Sequence, residues 1–492
     1  MRHRWGGGRV TALTLFASML FVATSPVLAQ HADKSNTEVR LKPDTTPDTQ
    51  VRLKPDATSD ATHGKPDTTS DATHAKPETK SDSARAKPET KSDSARAKTD
   101  AASEQLQSSQ PTSGFRSWIE QRARSFESKS DRERGVTVSF GTVTPGSGLA
   151  GGIGYKHFNA FGPGLGYEVG GMVSFRRYQE YSAAFGRLNA RSSTVELDTA
   201  DRRVGALFND SSSKEPGSAL YVEARYRDYP QSVYYGEGIS SLRANRADYS
   251  LSGISIEGVW QRQFNSSIGL SVRGGVLDLR VGSGTNATLV NFEERFATAT
   301  IPGALQQPRF VTVGAGLVRD TRQQPGAPDG GTFVGIAVRR FVDGSAPDLD
   351  FSRVTFDARA YATPMTSRGV LAMRALLSSD FTDSGGKTPF YLQQSLGGGD
   401  TVRGLPSYRF QDQALYVLTA EYRWRLHRHV EITPFVDIGN TAPAVSHLTL
   451  RSLKVGPGVA VSVRTNRRTL ARLEWATSSE GYRIVASTGP AF

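Results

Sequence analysis

The chain has no cysteine. That absence excludes disulfide scaffolds, thiolate zinc sites, iron–sulfur clusters, cysteine nucleophiles and lipid attachment to an N-terminal cysteine. Long hydrophobic runs are missing beyond the N-terminus, and the mean hydropathy is -0.41, which excludes a bundle of membrane helices. It does not exclude a membrane β-barrel, whose strands alternate apolar and polar residues and keep average hydropathy low. Aromatic residues are absent from one whole segment. Between Gln30 and Gly114 there is no Phe, Tyr or Trp, and no Ile or Met, whereas all 16 Tyr of the 492 residues lie at or beyond Tyr155. A stretch so poor in apolar side chains cannot bury a core.

What is present begins with Arg2, His3, Arg4 and Arg9, then the largely apolar Val10 to Ala23, then Val27-Leu28-Ala29. This order predicts a secretory signal peptide, residues 1–29, cleaved near Ala29. Residues 30–114 repeat: Lys42-Pro43-Asp44, Lys54-Pro55-Asp56, Lys65-Pro66-Asp67, Lys76-Pro77-Glu78 and Lys87-Pro88-Glu89. A solenoid would need an apolar face in each unit, so the repeat predicts a disordered linker. With 13 basic and 14 acidic residues it is no basic arm for nucleic acid. Over 115–132, Phe115, Trp118, Ile119 and Phe126 fall near helical period, giving a short amphipathic helix or more linker.

After Arg134 the pattern is one of strands: segments rich in Val, Tyr, Phe, Leu and Thr between clusters of Gly, Pro, Asp, Asn and Ser. Leu418, Ala420, Tyr422, Trp424 and Leu426 share one face, opposite Thr419, Glu421, Arg423 and Arg425. Ile432, Pro434, Val436 and Ile438 likewise oppose Glu431, Thr433 and Asp437, and Leu473 and Trp475 oppose Arg472 and Glu474. In the final segment Tyr482, Ile484, Ala486 and Phe492 take one face and Arg483, Val485 and Ser487 the other. Alternation alone fits a soluble sandwich as well. Export, aromatics near strand ends and an outward Phe492 closing the final strand favour an antiparallel transmembrane β-barrel in the bacterial outer membrane, spanning 133–492. At roughly 22 residues per strand and connection, its length predicts about sixteen strands. Fifteen are readable, and the sixteenth is expected between Gln179 and Phe208. With both ends periplasmic, the long connection 382–411 is extracellular.

That connection contains Leu396-Gly397-Gly398-Gly399-Asp400-Thr401-Val402-Arg403-Gly404-Leu405-Pro406. It resembles the Val-Arg-Gly-aromatic loop of the bacterial surface antigen family, the BamA-TamA outer-membrane assembly barrels. Arg319-Asp320-Thr321-Arg322 with Pro325, Pro328 and Gly330-Gly331 is similar to the family's turn after its eighth strand, and Phe435-Val436-Asp437-Ile438-Gly439 to its acidic strand motif. Tyr234-Tyr235-Gly236-Glu237-Gly238 resembles a weaker family feature. The resemblance implies that the loop Val402, Arg403, Gly404, Leu405 folds into the lumen, where Arg403 pairs with Asp437. Glu421 and Glu474, on the same inward face, are expected as auxiliary acids sharing the charge, Gly404 is expected to allow a tight turn, and Phe492 resembles the C-terminal signal of outer-membrane barrels. Leu405 departs from the family's aromatic residue, so a looser loop tip is expected. Residues 30–130 contain nothing resembling the periplasmic POTRA modules of family members, so the likeness is to the barrel alone.

No catalytic set is visible: GxSxG is absent, and Ser384-Gly385-Gly386-Lys387-Thr388 lacks the first glycine of a phosphate loop. His427, His429 and Glu431 straddle a predicted turn, which favours a basic turn cluster over a metal site. No metal, cofactor or nucleic-acid partner is expected; the basic excess is read as contact with outer-membrane lipid and lipopolysaccharide. The function so implied is insertion or translocation of proteins or lipids, with unfolded outer-membrane proteins as clients. A passive channel or structural barrel is the alternative.

Overall fold

The computed structural model describes residues 134–492, apart from 145, 189–215, 364–367, 384, 466–467 and 488. The signal peptide, the repeat linker and the segment 115–132 lie outside the described residues. The strands, in chain order, are β1 (Arg134–Gly141), β2 (Ala150–His157), β3 (Leu165–Ser174), β4 (Gln179–Arg187), β5 (Gly217–Tyr234) and β6 (Ala247–Gln263). They continue as β7 (Ile268–Ser283), β8 (Arg309–Asp320), β9 (Gly331–Val342), β10 (Phe351–Ala362), β11 (Gly369–Thr382), β12 (Gln394–Leu396) and β13 (Phe410–Asp412). The last five are β14 (Ala414–His427), β15 (Val430–Ala442), β16 (Lys454–Arg464), β17 (Thr469–Ser478) and β18 (Gly481–Ser487). β12 and β13 pair with each other inside the β11–β14 connection; the other sixteen form one antiparallel sheet in chain order. It is a sixteen-stranded barrel, and β4 is the strand that the sequence pattern left unplaced.

Alternation sorts the side chains as expected. On β14, Thr419, Glu421 and Arg423 are buried toward the lumen, while Tyr422, Trp424 and Leu426 are exposed on the lipid-facing side. The two rims differ. One, the turn rim, carries short connections such as 264–267 and 428–429; the other, the loop rim, carries 235–246, 284–308 and 383–413.

Beneath the loop rim the lumen is apolar. Phe310, Phe341 and Phe351 face inward, with Phe341 and Phe351 stacked at 4.3 Å. Phe390 from the β11–β14 connection packs on Tyr234, Tyr249 and Phe292 at 5.0–5.4 Å. At the turn rim, the β8–β9 turn crosses under the lumen: Gly326 O accepts Thr469 N–H at 3.0 Å, and Asp329 pairs with Arg425 and Arg464.

The structure corrects the reading of Phe492. The final strand ends at Ser487, and Phe492 lies beyond it and inside, 7% exposed, stacked on Tyr361 and packed against Val370 and Ala372. Tyr361 Oη donates to the Phe492 carbonyl at 2.8 Å, and the Arg423 guanidinium lies 5.3 Å from its ring. Period-two alternation carries no information past the point where the ladder stops.

Candidate functional site: the infolded arginine loop

The β11–β14 connection leaves the loop rim, turns down into the lumen as the β12–β13 hairpin and presents residues 397–409 to the wall formed by β14–β17. Gly397 makes the turn, with a left-handed φ of +118°. Its amide N–H donates to Thr401 Oγ1 at 2.8 Å, and Leu405 N–H to the Val402 carbonyl at 3.1 Å, so the tip holds its own shape. Val402 and Leu405 are buried with Leu376, Leu396, Phe410, Leu415 and Val417. The looser tip expected from Leu405 is therefore not found: at 1% exposure it fills its niche without an aromatic ring. Gly404 is needed for space. A Cβ there would lie 2.1 Å from the Thr477 carbonyl oxygen of β17.

Arg403 is the centre of the arrangement, 2% exposed. Its Nε and Nη2 grip Asp437 Oδ2 and Oδ1 at 2.8 Å each, and its backbone N–H adds a third bond to Oδ2 at 3.1 Å. Nη1 donates to both Glu421 Oε1 and Glu474 Oε1 at 2.8 Å. The Phe435 ring lies 3.4 Å below the guanidinium carbon, closing off water from that side. Thr419 Oγ1 donates to Asp437 Oδ1 at 3.0 Å. Burial works against the charge of Arg403, but Asp437, Glu421 and Glu474 more than offset it, so the guanidinium holds its proton more tightly than usual.

Two further arginines complete the set. Arg423 Nε donates to Glu421 Oε2 at 2.9 Å, and Arg472 bridges Glu421 at 2.8 Å and Glu474 at 2.6 Å. Three guanidinium groups thus meet three carboxylates, and the buried network is neutral. Neutrality with every acid multiply bonded is the condition under which so many charges are tolerated away from water. Arg403, Asp437, Glu421 and Glu474 are the residues that the family resemblance and the strand alternation single out; alternation also puts Thr419, Arg423 and Arg472 on the inward face and Phe435 stands in the acidic strand motif, but nothing in the sequence gives these four a role.

The loop is held elsewhere too. Gly238 N–H donates to the Gln411 carbonyl at 2.7 Å, and Glu237 receives Lys387 Nζ at 3.1 Å and Gln393 Nε2 at 3.0 Å, so the 234–238 motif clasps the β12–β13 hairpin. Asp412 at its foot is buried, and that burial together with nearby Glu237 pushes its carboxyl up to about 6, against the Gln413 N–H and Lys387. In the β8–β9 turn, Asp320 takes the Arg322 fork at 3.0 Å on both oxygens. His427 and Glu431 part company: Glu431 turns into the lumen onto Arg464 at 3.1 Å, whereas His427 is exposed beside the turn. Among the described residues no group of three or more His, Cys, Asp or Glu is placed to hold a metal ion.

A sixteen-stranded antiparallel sheet with a neutral arginine–carboxylate network pinning an infolded loop defines a barrel whose lumen is occupied by its own chain. The chain belongs to the Omp85 superfamily, whose domain matches residues 184–484. Among solved structures it is similar to the crystal structure of BamA from Haemophilus ducreyi lacking POTRA domains 1–3, with TM-score 0.51 and 13% identity over 72% of this chain and 69% of that one. CdiB from Escherichia coli is a weaker match, with TM-score 0.44 and 12% identity over 72% of this chain and 62% of that one. No curated protein matches in sequence.

Proposed function

We propose that this barrel inserts or translocates polypeptides at the outer membrane, its clients being unfolded outer-membrane proteins. The supporting observation is the buried Arg403 network, which ties the infolded loop to strands next to one end of the sheet order, where β17 and β18 follow β14–β16. A simple pore has no use for such a loop, and the aromatic core under the loop rim counts against an open channel. At the two ends of the order, the described side chains of β1 and β18 are exposed or half-buried on both faces, in contrast to the buried inward faces of β14–β17. Those strands are the seam in this reading. Opening it would present unpaired backbone on which an incoming strand is templated by hydrogen bonding. No catalytic step is involved.

The chain's lack of cysteine makes the test clean. One cysteine in Val136–Val138 and one in Tyr482–Ile484, joined by a short bis-maleimide, should abolish client insertion in reconstituted vesicles, while each single variant stays active. Full activity with the seam locked would refute the mechanism.

A further inference from the structure

The two rims of the barrel treat their outward-facing arginines differently. At the loop rim, Arg280 and Arg309 share Asp278 at 2.9 and 2.8 Å, and Arg340 lies 3.6 and 3.4 Å from Asp350 and Asp383. At the turn rim, Arg187, Arg262 and Arg319 are the last or next-to-last residues of β4, β6 and β8, face outward by the alternation of their strands, and are exposed. None of these three forms an ion pair with an acid among the described residues; Arg262 Nη1 donates to the neutral Ser218 Oγ at 2.7 Å.

Their setting is equally one-sided. Phe185, Leu220, Trp260, Phe264 and Ile268 share the outward face beside them, each between 37% and 59% exposed. The register puts Arg187 opposite Leu220, Leu220 opposite Trp260, and Arg319 opposite Ile268. The turns 158–164, 264–267, 363–368, 428–429 and 465–468 contain no Asp or Glu, Asp329 of the β8–β9 turn is taken by Arg425 and Arg464, and the acids of the β4–β5 connection, Glu196, Asp198, Asp201, Asp210 and Glu215, lie outside the described residues. Here, then, is a row of guanidinium groups on alternate strands, bordering an aromatic girdle and, among the described residues, paired with no acid. The apolar stems lie along lipid while the heads sit at headgroup level. A guanidinium fork in that position matches two oxygens of a phosphodiester.

We propose that Arg187, Arg262 and Arg319 form a binding belt for anionic phospholipid headgroups in the leaflet at the turn rim. The loop rim, whose outward strand-end arginines Arg280, Arg309 and Arg340 are paired with acids, has no such preference. This inference rests on rim chemistry alone and does not depend on how the barrel handles polypeptides.

Trp260 supplies the reporter, one position from Gln261 and two from Arg262 on the same outward face. The full chain is folded into phosphatidylcholine vesicles carrying equal fractions of brominated phosphatidylglycerol or brominated phosphatidylcholine, and tryptophan quenching is compared. Quenching by the anionic lipid should be favoured at least about threefold, and the preference should fall to near parity in the R187Q/R262Q/R319Q variant and in 0.5 M NaCl. The loop-rim variant R280Q/R309Q should keep it. Heat-shifted gel mobility confirms that each variant is folded, and glutamine at exposed positions leaves the core untouched. Absence of a preference in the parent chain, its survival in the triple variant, or its loss in the loop-rim variant would each overturn the proposal.

Discussion

Arg409, at the foot of the infolded loop, fastens Glu480 at the tip of the β17–β18 hairpin: its Nε lies 2.7 and 2.8 Å from the two carboxylate oxygens, and its Nη1 and Nη2 donate to Ser241. Arg483 Nη2 adds a bond to Ser407 Oγ at 3.2 Å, and Ser478 Oγ one to the Gly404 carbonyl at 2.9 Å. The last hairpin is therefore anchored at the loop rim through the loop. Arg409→Ala should cost about 1–3 kcal/mol locally. Hydrogen exchange over 478–487 should rise while β14 and β15 stay protected; unchanged exchange in that hairpin would show the anchor to be idle.

Arg403→Ala leaves Asp437 buried without its counter-charge and strips Glu421 and Glu474 of one of their arginine partners, a loss of roughly 3–5 kcal/mol for a broken buried pair. The folded, gel-shifted form should unfold at a markedly lower temperature. Arg403→Lys should recover only part of this, because an ammonium cannot reproduce the two-pronged grip on Asp437 while also reaching both glutamates. Equal melting of the lysine variant and the parent would count against the geometry.

Gly404 and Leu405 separate two ways of harming the loop tip. Gly404→Ala drives a methyl into the Thr477 carbonyl and should displace the loop from β17. Leu405→Ala should instead leave a cavity costing about 2–5 kcal/mol, with the Arg403 contacts kept. Protease nicking of the loop in the first variant, against simple destabilisation in the second, is the expected contrast.

Asp412 gives the loop a pH response. Its carboxyl titrates near 6 when folded, above the value of about 3.9 for a free aspartate. The folded loop thus binds this proton more tightly than the unfolded chain. The resulting stabilisation is complete below about pH 4 and is lost as pH rises through about 6, a swing on the order of 2 kcal/mol. Asp412→Asn should remove that part of the pH dependence, measured as exchange protection over 394–412. An identical profile in both proteins would remove Asp412 as its source.

The barrel was legible because lipid on one side and charge on the other enforce a two-residue period, and β14–β17 show it without ambiguity. β4 was not, since Ser182, Ala184 and Gly186 face Tyr181, Ala183 and Phe185 with little contrast between the faces. Nor was the aromatic core: Phe341 and Phe351 point inward, while Arg339 and Arg353, two residues away on the same inward face, make those faces read as polar lumen. Arg403 and Asp437 were visible only through family resemblance. Arg409 and Glu480 stand 71 residues apart and carry no local pattern at all.

The strands are far from equal in length. β2 has 8 residues and β17 has 10, whereas β5 has 18, β6 has 17 and β7 has 16. At about 3.3 Å per residue and a tilt near 40°, eight residues cover about 20 Å along the membrane normal, less than the roughly 25 Å apolar band of such barrels, while eighteen cover about 45 Å. A bilayer of uniform thickness cannot match both sides of this wall. Acyl chains beside β1–β4 and β17–β18 must shorten or splay, so that the lipid next to the two ends of the sheet is the thinnest and least ordered around the molecule.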